Sequence, residues 1–298
     1  MNWNEIPLID LTHARSGSAQ LREDVASQID RASREIGFFV VTGTGIPDRV
    51  VDDAHLAFSR FVALPVEQKN VCRVPGSATH PDDPYTPYGY SGLLEENAFA
   101  YAGEDGRPSD YVEKFSLGRL ALDPRVDLPF PADADCPRLR EALVDYFRAT
   151  RDLAALVAEL IEEGFGFPPR FLTDRMTHAA DSMRCHHYPA LSDAHVNDQG
   201  MGAHQDGSLV TLLTQTGPGI EVRSRDGQWV RPSGMGRFDY LINIGDLLSS
   251  RTEGEYCSTP HRVVLTDQAR ISIAFFKLTD EDQLTEAGDR QMDALFGR

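Results

Sequence analysis

Residues 202–214 read Gly-Ala-His-Gln-Asp-Gly-Ser-Leu-Val-Thr-Leu-Leu-Thr, and the fold is read outward from them. The run 209–214 is apolar, β-branched and bounded by Gly207-Ser208 and Gly217, which is the signature of a short buried strand. The same texture recurs on both sides. Residues 183–188, 220–223, 228–231, 240–244, 261–265 and 271–277 are short apolar runs separated by Gly, Pro, Asp or Ser. Many short strands punctuated by turn residues specify a sandwich or barrel.

Toward the N-terminus the periodicity changes. Leu21, Val25, Ile29, Ala32 and Ile36 predict a helix over 19–36 that Gly37 ends, and Val50, Val51, Ala54, Phe58 and Phe61 predict another over 47–63. The strongest helical pattern covers 137–165. Residues 5–11 and 38–41 read as strands. Between them and the β-rich part lies 74–111, dominated by Pro, Gly, Ser and Tyr, which reads as a lid-like loop. The expectation is one domain over 1–298. It has an N-terminal helical and strand region to about residue 120 and a β core over 180–280. The class is mainly β with flanking helices.

Bulk properties narrow the function. The formal net charge of -17 repels phosphate backbones and anionic membrane surfaces, so neither nucleic acid nor a membrane is an expected partner. No apolar run approaches the roughly 20 residues that span a bilayer. Met1-Asn-Trp-Asn-Glu lacks the basic and apolar parts of a secretory leader. Cys72, Cys136, Cys185 and Cys257 show no Cys-x-x-Cys spacing, so a cytoplasmic location with reduced thiols is expected, as a monomer or homodimer.

The chain has nine histidines, and two open a His-x-Asp triplet: His80-Pro81-Asp82 and His204-Gln205-Asp206. About one such triplet arises by chance. The first lies in the Pro-rich stretch with no strand beside it. The second adjoins a strand, and His261 begins another. Two imidazoles and one carboxylate hold one face of an octahedron in non-haem Fe(II) oxygenases and leave positions open. Arg270 and Ser272, two apart on a strand, share a face and together suit a carboxylate. His195 reads as a solvent or core histidine.

These residues, with Asn243, Asp246 and the segment Gly37-Phe-Phe-Val-Val-Thr-Gly-Thr-Gly-Ile-Pro47, make the chain resemble the 2-oxoglutarate/Fe(II)-dependent dioxygenases of the isopenicillin N synthase-like family. The resemblance runs in order through nearly the whole chain. It implies a distorted double-stranded β-helix, or jelly roll, with Fe(II) on His204, Asp206 and His261. It also implies 2-oxoglutarate on Arg270 and Ser272, with Tyr188 touching that cosubstrate, and Asn243 and Asp246 as structural supports. Two positions depart from the family's habit: Thr44 stands where His is common, and His186 where Asn is common. His186 either hydrogen-bonds the cosubstrate or packs. The chain ends soon after the core, so a long C-terminal tail over the site is not expected.

The implied reaction uses O2 and 2-oxoglutarate to hydroxylate, desaturate, epoxidise or cyclise a small molecule, in specialised metabolism. Rival readings are an oxidase on the same scaffold that needs no 2-oxoglutarate, a metal-binding jelly roll without turnover, and a jelly-roll isomerase. Alternation from Arg270 places Phe276 and Leu278 as an apolar substrate wall. Tyr85, Tyr88, Tyr90 and Phe99 are the candidates for the opposite wall, on a loop over 79–99 that either closes over substrate or is a rigid surface loop whose aromatics pack on the helices.

Overall fold

The fold is that of a computed structural model describing residues 6–15, 17–73, 79–80, 83–101, 107–193 and 198–280, with the backbone alone for 79–80, 83–87, 100–101 and 193. The side chains of His80 and Tyr85, and all of His195, lie outside the described residues.

Among the described residues, fourteen strands and six α-helices are interspersed along the chain. The strands are β1 (Leu8–Asp10), β2 (Phe38–Thr42), β3 (Thr79–His80), β4 (Asp83–Pro87), β5 (Gly89–Ser91), β6 (Glu113–Gly118), β7 (Ser182–Tyr188), β8 (Gln199–His204), β9 (Val210–Gln215), β10 (Ile220–Arg223), β11 (Trp229–Val230), β12 (Tyr240–Ile244), β13 (His261–Val264) and β14 (Arg270–Lys277). The helices are α1 (Ala19–Glu35), α2 (Asp48–Val62), α3 (Val66–Asn70), α4 (Ala98–Tyr101), α5 (Leu139–Phe165) and α6 (Asp246–Arg251).

Eight strands make the major sheet in the order β1-β2-β12-β9-β14-β7-β6-β5, and four make the minor sheet, β11-β10-β13-β8. Among these described strands the only parallel pair is β1 with β2. The two sheets close face to face on Phe38, Val40, Leu213, Ile220, Val222, Leu241 and Ala274. The outer face of the major sheet is covered by α1, α2 and α5, which pack Ile29, Phe58, Phe61, Phe147 and Ile161 against Ile273 and Phe275. Both faces of β14 are therefore buried, which is why its sequence reads as a continuous apolar run instead of a clean alternation.

Local chemistry explains the borders. The Ser18 hydroxyl accepts from the Leu21 amide and caps α1. Gly37 turns the chain from α1 into β2 at φ +69°, where a Cβ would collide with the Cys257 carbonyl. The 27 residues of α5 stop at Gly166, also left-handed.

Two expectations change. The β core does not begin at residue 180, because β1, β2, β5 and β6 are N-terminal strands of the major sheet. The stretch read as a loop contains a two-stranded β3-β4 ribbon and the edge strand β5. Gly and Pro are tolerated there because an edge strand needs only one row of ladder bonds.

Candidate active site

His204 is the last residue of β8 and His261 the first of β13, and the antiparallel register sets them directly opposite each other. Their rings lie 4.4 Å apart. Asp206 follows two residues after β8 and is drawn back under both rings. Its main-chain carbonyl accepts from the Asp246 amide at 2.7 Å, and its Oδ2 accepts from Asn243 Nδ2 at 2.8 Å. Asn243 thus holds the carboxylate from β12, and the Asp246 amide at the start of α6 holds the Asp206 main chain.

The donor atoms of His204, Asp206 and His261 all fall within 4.8 Å of one another. The two Nε2 to carboxylate distances are 3.6 and 3.9 Å, too long for hydrogen bonds. Ligand atoms about 2.0–2.2 Å from a shared ion sit about 3–4 Å apart, so the residues fit a metal. The opposite ring nitrogens are committed elsewhere. His204 Nδ1 donates to the Gly202 carbonyl at 2.8 Å and His261 Nδ1 to the Thr259 carbonyl at 3.3 Å, which turns both Nε2 lone pairs inward. Burial, then the neighbouring His261, push the His204 imidazole down to about 4. It is neutral at pH 7, as a ligand must be. Burial opposes charge on Asp206, but the two imidazoles, Asn243 and Thr211 overcome it and hold the carboxyl below its ordinary value.

The second cluster lies along β14, β7 and β9. Alternation turns Arg270, Ser272, Ala274 and Phe276 inward, and Ile271, Ile273 and Phe275 toward the helices. Arg270 pairs with Tyr188, and Ser272 with His186 on one side and Gln215 on the other. Arg270 is 4% exposed. Its Nη1 donates to Gln215 Oε1 at 2.8 Å, its guanidinium lies 4.4 Å over the Tyr188 ring, and its Nε has no partner. Gly219 makes this possible, since a Cβ there would stand 2.7 Å from Arg270 Nε. A buried guanidinium with spare donors fits a carboxylate. Burial pushes the Tyr188 phenol up to about 12, so it stays protonated. His186 is buried with Nδ1 unpartnered; burial and the cations Lys114, Arg184 and Arg270 hold it well below its ordinary value.

Of the wall residues, Phe276 is half-buried on the inner face. Leu278, also half-buried, sits just past the end of β14, where its amide donates to Asp181. Tyr90 is a correction. Its register partner is Phe115, whose side chain faces the helices, and its ring meets Phe61 edge-on at 5.7 Å. Its hydroxyl donates to Glu113, which also binds Lys69 and His187. Tyr90 therefore packs on the outer face, away from the site, because one residue of register decides which face β5 presents. Tyr88 is also part of the helix-side core. Phe99 alone of these described aromatics approaches the site: it lies against Gly202, two residues before His204.

Sequence reasoning missed Gln215 and the inner-face residues Lys114 and Arg184. The period-two pattern of β9 and β7 contained Gln215 and Arg184. Strand β6, which carries Lys114, was not recognised.

Known proteins share the family and the fold of this chain. Residues 179–279 match the 2OG-Fe(II) oxygenase superfamily, where 2OG is 2-oxoglutarate. Residues 6–133 match the N-terminal region of the non-haem dioxygenases described from morphine synthesis. Validamycin A dioxygenase of Streptomyces hygroscopicus subsp. limoneus is 30% identical over 87% of this chain and 71% of its own. Homoarginine-6-hydroxylase of Glycine max is 29% identical over 97% of this chain and 89% of its own. In fold, a full-length protein of Neurospora crassa, crystallised in complex with alpha-KG, superposes with a TM-score of 0.81 at 23% identity, over 98% of this chain and 96% of that one. The chain belongs to the 2-oxoglutarate/Fe(II)-dependent oxygenases of the isopenicillin N synthase-like family and is a dioxygenase. No helix among the described residues is long and apolar enough to cross a membrane.

Proposed function

We propose that His204, Asp206 and His261 hold the Fe(II), and that Arg270, Ser272, Tyr188 and His186 hold 2-oxoglutarate, for oxidation of a small molecule of specialised metabolism. The single observation that carries this is the convergence of two imidazoles and one carboxylate within 4.8 Å, the histidines on the minor sheet and the carboxylate bonded to Asn243 of the major sheet. When bound, Fe(II) with 2-oxoglutarate and O2 supplies an oxidant strong enough for an unactivated C–H bond, giving succinate and CO2 as co-products.

The protein's own residues bind and orient. Arg270 and Ser272 receive the distal carboxylate of the cosubstrate, with Gln215 and the Tyr188 ring fixing the guanidinium plane. The protonated Tyr188 hydroxyl is a further donor. His186 offers its free Nδ1 beside Ser272. Asn243 keeps one carboxylate oxygen of Asp206 occupied, so the other faces the metal. Phe276 and Leu278 form an apolar wall that excludes water from the reacting carbon.

The test is anaerobic binding followed by turnover. One equivalent of Fe(II) and one of 2-oxoglutarate are expected to bind, and succinate release is expected to track O2 uptake. His261→Ala is expected to bind no iron at stoichiometric concentration. Turnover without 2-oxoglutarate, or undiminished activity of His261→Ala with chelator present, overturns the assignment.

A further inference from the structure

Iron and cosubstrate leave two inner-face cations among the described residues without a role; Lys114 pairs with Glu96, and Arg184 has no such carboxylate. Side chains of β7 alternate, so Ser182, Arg184, His186 and Tyr188 face inward with Arg270, Ser272, Ala274 and Phe276 of β14. Arg184 pairs with Ala274, four residues along from the Arg270–Tyr188 pair, or about 13 Å at 3.3 Å per residue. That is the iron end of the groove. Phe276 pairs with Thr211, Thr211 pairs with Asn243, and both Thr211 and Asn243 hydrogen-bond Asp206. Arg184 therefore lies toward the metal end of the groove, away from the cosubstrate carboxylate.

Its guanidinium lies 5.0 Å over the Phe276 ring, and its Nε is buried with no hydrogen-bond partner. The nearby carboxylates are already taken. Glu96 feels the Arg184 charge, but Lys114 is the stronger influence and bonds its Oε2 at 2.7 Å. Asp110 accepts from the amides of Gly202 and Ala98 and from Gln199. His186, held neutral, supplies no charge. Arg184 is half-buried, and its buried Nε has no acceptor among the described residues, so a carboxylate entering the groove would supply one.

We infer that Arg184 is the specificity-determining residue for a substrate carboxylate, and that the substrate is a small organic acid whose apolar or planar body rests on Phe276. The planar fork of Arg matches two carboxylate oxygens, and the ring beneath holds that plane. The inference rests on the proposed iron and 2-oxoglutarate sites and deepens them by naming the substrate class.

The experiment uses full-length enzyme loaded anaerobically with Fe(II) and saturating 2-oxoglutarate, so that Arg270 is already occupied. The probes are benzoate, phenylacetate and 4-methylpentanoate, each with its primary amide and amine, titrated by calorimetry. Wild-type protein is expected to bind the best acid about 10- to 100-fold more tightly than its amide. In Arg184→Gln that preference falls within about threefold, and Arg184→Lys retains part of it. Fe(II) and 2-oxoglutarate affinities stay at wild-type values in both variants, which also reports that they fold. Amides or amines binding as well as the acids, no acid binding at all, or a preference that survives Arg184→Gln overturns the inference. So does loss of 2-oxoglutarate binding in Arg184→Gln, which would move Arg184 into the cosubstrate site. Failure of wild-type protein to bind 2-oxoglutarate defeats the proposed function instead.

Discussion

Replacing Asn243 by Ala removes a side chain that belongs neither to the three proposed iron ligands nor to the cosubstrate cluster, yet it is expected to weaken the metal site. Asn243 is 2% exposed, and its Nδ2 donates to Asp206 Oδ2 at 2.8 Å. A hydrogen bond to a buried charged acceptor contributes about 1.5–3 kcal/mol, or about 10- to 150-fold in a binding constant. Two other contacts survive: Thr211 still reaches the carboxylate, and the Asp246 amide still holds the Asp206 carbonyl. The expected loss is therefore near the lower end, about 10- to 30-fold in Fe(II) affinity, in line with other residues that orient metal ligands. The cavity left in β12 lowers the stability of apo and loaded protein alike, so the melting temperature by itself is the wrong readout. The assay is an anaerobic Fe(II) titration by calorimetry, with the iron-induced shift in melting temperature as a second measure. An Fe(II) affinity within about twofold of wild type, in a variant that still melts cooperatively, refutes the argument that Asn243 positions Asp206.

Arg270→Lys keeps the charge but loses the fork, and the KM for 2-oxoglutarate is expected to rise about 10- to 100-fold while the substrate KM at saturating cosubstrate changes little; an unchanged cosubstrate KM removes Arg270 from that role. Tyr90→Phe strips a donor from the buried Glu113 carboxylate and is expected to cost about 1–3 kcal/mol in urea unfolding with kcat unaltered; a fall in kcat at full stability would return Tyr90 to the site. Acid should weaken the fold in two stages. Burial, helped by Arg237 and opposed by Asp52, lowers His55 to about 4. Burial opposes the Glu113 charge, but His187, Lys69 and Tyr90 outweigh it and bring that carboxyl to about 2. Both groups take up protons more readily unfolded. Stability is therefore whole above about pH 6.5, falls from there to about 4 through His55, and falls again from about 4.5 to about 2 through Glu113. The urea midpoint followed against pH in wild type and His55→Gln tests this, since equal slopes between pH 6.5 and 4 would exclude His55 as the cause.

Much of this was legible along the chain. The apolar periods of α1, α2 and α5 set their borders to within two residues, because each buries one long stripe and local spacing records it. Period two put Arg270 and Ser272 on one face of β14. His204, Asp206 and His261 stood out by their chemistry and their strand context. What remained hidden depended on partners distant in sequence. Strand β8, Gln-Gly-Met-Gly-Ala-His, has two glycines and little intrinsic strand preference; it exists because β13 pairs with it, and that pairing sets His204 against His261. The edge strand β5 was hidden by its glycine and tyrosine, and only its pairing with β6 decides that Tyr90 turns to the helices and Lys114 to the groove. The open guanidinium of Arg184 is of the same kind. The sequence contains the arginine, but the lack of an acceptor for its Nε among the described residues is a property of several strands brought together, since hydrogen bonds across a sheet are set by register and not by neighbours in the chain.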